Sequence, residues 1–283
     1  MPYWANLYGW LNRSSKPDLK EELNLYFKNK LRCSHGKKMN RKVGADMAIL
    51  KEKDGEQVTL TPIKWRVAEF TIGGVDGTPL AMQNRPASVI DNLSRKDNGL
   101  PTVKYPMSDA RRFIDSIHWV SNNKPDTLDE NKTDEELLTE FNNLVSSGEA
   151  KFGIPTEAFK ESICKGGMRN EIFKNAVVAR GALFVLGEYA IIDFQNVLME
   201  KVPTINKNAR GAMIISVYSK FTDWKTKIKI KYNSNIMSAM ELANIINAAG
   251  ASVGILARRP ELSFGKYGAY EVIEVVDSAI KNK

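Results

Sequence analysis

The sharpest pattern in the chain lies at residues 225–232, KTKIKIKY. Thr226, Ile228, Ile230 and Tyr232 fall on one side of an extended backbone, and Lys225, Lys227, Lys229 and Lys231 on the other. A two-residue period predicts a strand with one buried face and four ammonium groups on the opposite face. Directly after it, residues 238–249 (SAMELANIINAA) predict a helix, opened by the capping box Ser238-x-x-Glu241 and closed at Gly250. Residues 270–276 predict a last strand. Upstream, residues 181–194 (GALFVLGEYAIIDF) read as two short strands around Gly187-Glu188, and residues 212–218 as a further apolar strand. Residues 154–165 (IPTEAFKESICK) predict a helix with Pro155 near its first turn and with Phe159 and Ile163 on one face.

The first half of the chain is less regular. Residues 64–72 (KWRVAEFTI) predict a strand of imperfect period that ends at Gly73-Gly74, with Trp65 and Val67 in alternation, no clear partner at Glu69, and then Phe70 and Ile72. Between residues 75 and 150 prolines, asparagines and glycines recur, which predicts a long insertion with one or two short helices, such as residues 108–117. Ahead of residue 64, residues 17–31 place Leu19, Leu23, Tyr26 and Phe27 at helical spacing, with acids early and lysines late. Residues 32–42 (RCSHGKKMNRK) form a basic turn region, either a solvated loop or an arm that contacts phosphates. Residues 48–60 read as a hairpin turning at Asp54-Gly55. From residue 64 the order is strand, insertion, helix, two strands, strand, helix, strand. That is the βαββαβ plan of an α+β, ferredoxin-like (RRM-like) core. The expected organisation is a basic extension over residues 1–63, a core over 64–276 with its insertion at about 81–150, and a tail over 277–283.

Charge sharpens this picture. The chain of 283 residues carries a net charge of +8, and the excess is unevenly spread. Residues 1–64 hold 13 Lys or Arg against 7 Asp or Glu. Residues 124–150 hold eight acids against Lys124 and Lys132, and residues 207–231 hold seven bases against Asp223 alone. Faces of opposite sign follow, and a polyanion is the natural partner for the basic ones. Cys33 and Cys164 are the only cysteines and His35 and His118 the only histidines, so no disulfide scaffold or histidine-centred triad can be assembled, and Cys33-x-His35 is at most half a metal site. No run of about 18 apolar residues predicts a membrane span, and no leader pattern opens the chain, so an intracellular, cytoplasmic location is expected. No catalytic residue, metal ligand or cofactor is assigned.

Two stretches carry a resemblance to a known family. Residues 154–160 (IPTEAFK) resemble the opening of the first core helix in the RAMP superfamily, the RNA-binding backbone subunits of CRISPR effector complexes. Residues 258–272 (RRPELSFGKYGAYEV) resemble that superfamily's glycine-rich loop, leading into the last strand. The stretch 226–272, with Ala249-Gly250-x-x-x-Gly254-Ile255, is also similar to uncharacterised phage-encoded proteins, and residues 71–80 (TIGGVDGTPL) sit where such proteins leave their first strand. Residues 1–63 have no counterpart in the superfamily, and the helix at 154–165 lacks its usual Gly-Ser pair.

The resemblance implies a protein that grips a single-stranded guide RNA, packs head to tail with further copies along it, and presents it for pairing with a complementary target RNA or DNA. It implies a thumb segment within residues 81–150, where Arg111 and Arg112 are the expected basic contacts. Some members cut the target with an aspartate; Asp76, Asp91, Asp97, Asp109 and Asp115 are present, and nothing in the sequence ranks them. The residues themselves supply further candidates. Gly265 and Gly268 allow close approach of backbone amides to a phosphate. Arg258, Arg259 and Lys266 bring charge, and Phe264 and Tyr267 offer faces for bases. Lys160, Lys165 and Arg169 belong to the helix at 154–165 and its end. These segments, with Lys225, Lys227, Lys229 and Lys231, are expected to converge on one channel for a ribose-phosphate strand. A single-stranded-DNA binding or annealing protein of a phage, and a virion structural protein, remain as alternatives.

Overall fold

A computed structural model describes residues 49–51, 57–59, 62–206, 212–262 and 266–277. The chain divides into two compact units, residues 1–61 and 62–283. In the first, β1 (Ile49–Lys51) pairs antiparallel with β2 (Gln57–Thr59), Ile49 opposite Thr59. The strands of the expected hairpin are therefore present. Its Asp54-Gly55 turn, the helix expected at 17–31, the basic region 32–42 and the Cys33-x-His35 pair all lie outside the described residues.

The second unit is a mixed α+β assembly whose sheets are antiparallel throughout. Its strands are β3 (Trp65–Gly74), β4 (Leu80–Met82), β5 (Gly153–Pro155), β6 (Leu183–Leu186), β7 (Tyr189–Asp193), β8 (Asn196–Asn206), β9 (Ala212–Thr222), β10 (Lys225–Asn233) and β11 (Tyr270–Asp277). Its helices are α1 (Ala87–Asp97), α2 (Asp109–Ser116), α3 (Asp134–Ser146), α4 (Thr156–Arg169), α5 (Ala176–Ala182) and α6 (Ala239–Ser252). Six strands form the main sheet in the order β11-β3-β10-β7-β5, with β6 also paired to β10. A second sheet has the order β4-β9-β8.

The alternation of β10 decides where the core sits. Thr226, Ile228, Ile230 and Tyr232 are buried, while Lys225, Lys227 and Lys229 are exposed and Lys231 is partly so. Phe70 and Ile72 of β3 join them, and Phe159 and Ile163 of α4 with Leu242 and Ile246 of α6 close the same core. The helices thus cover one face of the main sheet. They cross closely because glycine allows it: a Cβ on Gly166 of α4 would sit 2.4 Å from Cα of Ala249 in α6. A Cβ on Gly250 would likewise strike the backbone of Tyr270 in β11. α6 begins at the expected capping box, with Glu241 N–H donating to Ser238 Oγ and Ser238 N–H to the Glu241 carboxylate. α4 starts two residues later than its sequence pattern and runs to Arg169, carrying Gly166 and Gly167 inside the helix.

The insertion corrects one expectation. Residues 81–150 are not loosely built around short helices: three helices lie there, and the acidic stretch supplies one of them, α3. Its acids sit in the first turn, where Thr133 and Glu136 make a second capping box. Phe113 of α2, Phe141 of α3, Trp119 and Phe152 pack edge to face, with Phe141 and Phe152 nearly parallel, at centroid separations of 4.9–6.2 Å, which ties the insertion to the core. Arg111 is the second correction. It is only 4% exposed, and its guanidinium donates to the carbonyls of Thr127 and Lys132, each at 2.6 Å. It closes the insertion from inside and presents no charge to a ligand. Arg112, next to it, stays on the surface near Asp109. Three of the five aspartates also have partners. Asp115 accepts from Ala87 N–H, Thr127 Oγ1 and Lys124, Asp91 accepts from Tyr105, and Asp109 pairs with Lys201 of β8.

β8 was not legible in the sequence. It pairs with β9 over eleven residues, and Pro203 breaks its pattern, a residue tolerated here because β8 is the edge of its sheet. Among the described residues no helix is long and apolar enough to cross a membrane. Arg111→Ala is expected to lower the unfolding free energy by about 2–3 kcal/mol, because two buried carbonyls lose a charged donor. Arg112→Ala is expected to change it by less than about 0.5 kcal/mol, and urea denaturation of both variants separates the two roles.

Candidate nucleic-acid interface

The face of the main sheet turned away from α4 and α6 is built by the residues that alternate with the core. On β10 these are Lys225, Lys227, Lys229 and Lys231, with successive lysines about 6.7 Å apart along the strand. Beside them on β3 the register sets Gly73, Thr71, Glu69 and Val67. On the far side it sets Asp193 of β7 opposite Lys225, Leu186 of β6 opposite Lys229 and Phe184 opposite Lys231. Glu271 and Glu274 of β11 stand next to Gly73 and Thr71.

Two large aromatics meet at the Lys231 end. Trp65 and Phe184 are 37% and 41% exposed, and their ring centroids lie 5.5 Å apart. The Lys231 ammonium stands 5.4 Å from the Trp65 ring, and that of Lys160, reaching from α4, stands 4.6 Å from Phe184. An exposed aromatic pair on a regular sheet, with a cation over each ring, offers stacking surface and charge together. Sequence reading missed Trp65 and Phe184 as site residues. The signal was the broken period of residues 64–72: Trp65 and Val67 look misplaced for a core strand because they belong to the other face.

The four lysines are less alone than their own strand suggests. Lys229 lies 3.5 Å from Glu69, and Asp193 is the cross-strand neighbour of Lys225. Carboxylates from neighbouring strands relieve the repulsion that the sequence alone would leave unanswered.

The other predicted residues form two clusters elsewhere. Lys165 and Arg169 of α4 and Arg259 converge on Glu261, whose side chain is 15% exposed, with contacts of 3.5, 2.7 and 2.9 Å. Arg169 also donates to the carbonyl of Ser252 at the end of α6. Burial pushes the Glu261 carboxyl up, but the hydrogen bond from Arg259 and the charges of Lys165, Arg259 and Arg169 outweigh it and hold the group below the ordinary glutamate range. In the second cluster Arg258, at φ 55°, lies against the rings of Tyr267 and Tyr218, 4.9 and 5.7 Å from their centroids. Tyr267 is only 7% exposed and donates to Glu200 of β8. Burial first, and then that bond to a carboxylate, push its phenol up to about 12. Tyr267 is a packed residue and offers no free face for a base. Gly268 is buried at φ 66°, where a Cβ would strike the carbonyl of Ile255, and Lys266 is exposed. Phe264 and Gly265 lie outside the described residues.

The expected single channel is therefore corrected. The lysine strand faces away from the helices, whereas Lys165, Arg169 and Arg259 close on a carboxylate on the helical side. Only Lys160 links the two regions. His118 sits in a cleft with Gln83, Lys165 and Arg259, and burial lowers its pKa. Among the described residues no group of three or more His, Cys, Asp or Glu could hold a metal ion.

No protein-family model matches the chain, and no curated protein matches it. It is similar to a chain of a solved structure described as the cryo-EM structure of the type III-B Cmr-beta bound to cognate target RNA, at 10% identity and a TM-score of 0.37. The likeness covers 76% of this chain and 61% of that one, so it spans less than two thirds of that neighbour's length.

Glu261→Gln is expected to destabilise the fold by about 1 kcal/mol at neutral pH. Because the folded-state pKa of Glu261 is depressed, that stabilisation is present above the ordinary glutamate range and is lost as the pH falls through the lower folded value. Thermal unfolding of both proteins along a descending pH series should show the gap closing in acid; a constant gap would contradict the ion cluster.

Proposed function

We propose that the chain binds single-stranded RNA across the uncovered face of its six-stranded sheet. The observation that carries this reading is the exposed Trp65–Phe184 pair, with Lys231 and Lys160 over its rings, at one end of a strand that turns alternate lysines to the same face. Bases need a flat apolar surface and phosphates need cations, and this face holds both within one strand's length. Stacking on such rings contributes about 1–3 kcal/mol per base, and it requires bases that are not already paired. Lys225, Lys227, Lys229 and Lys231 are the residues assigned to the phosphates.

The sheet order supports a finer reading of the fold. With β3, α4, β6–β7, β10, α6 and β11 taken as a βαββαβ series, the strands stand in the spatial order four-one-three-two, which is ferredoxin-like. On that reading the three helices α1–α3 and the β8–β9 hairpin are insertions. The wider proposal is that copies of the chain line a guide RNA head to tail and present it for pairing with a target strand. Co-purified nucleic acid and the size of the complex with oligomers of increasing length would test it: laddered complexes support assembly, and a single one-to-one species excludes it.

A second reading has its own support. Leu186, Ile191 and Ile273 are also 42–52% exposed on or beside this face, and carboxylates border it. A protein surface of mixed charge would fit such a composition, as in a virion structural protein. Fluorescence anisotropy with labelled oligouridine, its DNA counterpart and no-salt to moderate-salt titration distinguishes these. The pair Trp65→Ala and Phe184→Ala is expected to weaken RNA binding by about tenfold or more. Lys227→Ala and Lys231→Ala are each expected to reduce the slope of log affinity against log salt by about 0.7. Equal affinity of wild type and the aromatic double variant would overturn the RNA reading, and tighter binding of the DNA counterpart would reassign it to single-stranded DNA.

A further inference from the structure

The charge on the open face is ordered across the strands as well as along them. The central column is β10 with Lys225, Lys227, Lys229 and Lys231. Two strands away on one side, β11 sets the exposed Glu271 level with Lys225 and the exposed Glu274 level with Lys227. On the other side, one strand away, β7 sets the exposed Asp193 level with Lys225. Toward the opposite end the flanks change character. Lys229 has Leu186 beside it and Lys231 has Phe184, and Trp65 closes that end. Glu69 of β3 still borders Lys229, so the cationic strip is flanked by acids from Lys225 to Lys229 and opens onto an aromatic floor only at Lys231.

We propose that Glu271 and Glu274 make the face selective for unpaired nucleic acid, excluding the second backbone of a duplex; the inference rests on the RNA-binding reading above. Strands of a sheet stand about 4.8 Å apart, so Glu271 and Glu274 lie about 10 Å from the lysine column. That separation exceeds the Debye length of about 8 Å at physiological ionic strength. A single strand laid on β10 is therefore largely screened from them. A duplex laid on the same lysines carries its second row of phosphates to one side or the other, directly onto Glu271 and Glu274 or onto Asp193. Its stacked bases also cannot reach Trp65 and Phe184. The two effects act in the same direction, one by repulsion and one by loss of stacking.

The test uses the full chain and compares a short oligouridine with a blunt RNA duplex of equal length, by anisotropy at physiological salt. Wild type is expected to bind the oligouridine more tightly, by about tenfold or more. The double variant Glu271→Lys, Glu274→Lys is expected to narrow that ratio by about fivefold, through gain for the duplex, while its affinity for oligouridine moves by less than about twofold. Glu135→Lys with Glu149→Lys adds the same charge on and after α3, away from the face, and is expected to leave the ratio as in wild type. A ratio unmoved by the β11 variant, or moved equally by the α3 variant, overturns the proposal while single-strand binding stands. Failure of wild type to bind oligouridine overturns the RNA reading itself.

Discussion

The two-residue alternation of β10 is the constraint on which the rest of the molecule depends. β3 pairs with this strand along its whole length on one side, and β6 and β7 pair with it along the other. Ile228, Ile230 and Tyr232 can enter the core only if the lysines between them face the other way. Once they do, no helix can cover that second face without burying four ammonium groups, which is prohibitive without partners. The helices are consequently confined to one side, and the sheet keeps its other face open. Both faces follow from the same eight-residue pattern.

What was legible in the sequence were elements whose local chemistry and tertiary role agree. α6 carries a capping box that acts as read, but the helix runs past Gly250, its expected end, to Ser252, and that glycine serves the close approach to β11 instead. β6 and β7 turn at Gly187, whose φ of 88° suits glycine. β8 could not be read, since Pro203 conceals an edge strand. α3 could not, because three acids in its first turn look like a solvated linker until Thr133 is recognised as their cap.

The site was legible only in part. The lysine strand was evident, but its carboxylate neighbours come from β3, β7 and β11, up to 160 residues away along the chain, and only register reveals them. Trp65 and Phe184 are 119 positions apart, so no local pattern joins them. Arg111, Lys165, Arg169 and Arg259 share the opposite lesson. A basic residue in a sequence is a candidate for phosphate until the partner that already holds it is known, and here backbone carbonyls and carboxylates hold all four.

The link between the two sheets has a mechanical meaning. β9 ends at Thr222 and β10 begins at Lys225, with only Asp223, at φ 47°, and Trp224 between them. The Trp224 indole is 2% exposed and donates to the Thr78 carbonyl, which fastens the joint to the chain leaving β3. A joint this short and so anchored fixes where β10 begins once β9 is in place, so the position of Lys225 is set by the second sheet as well as by its own.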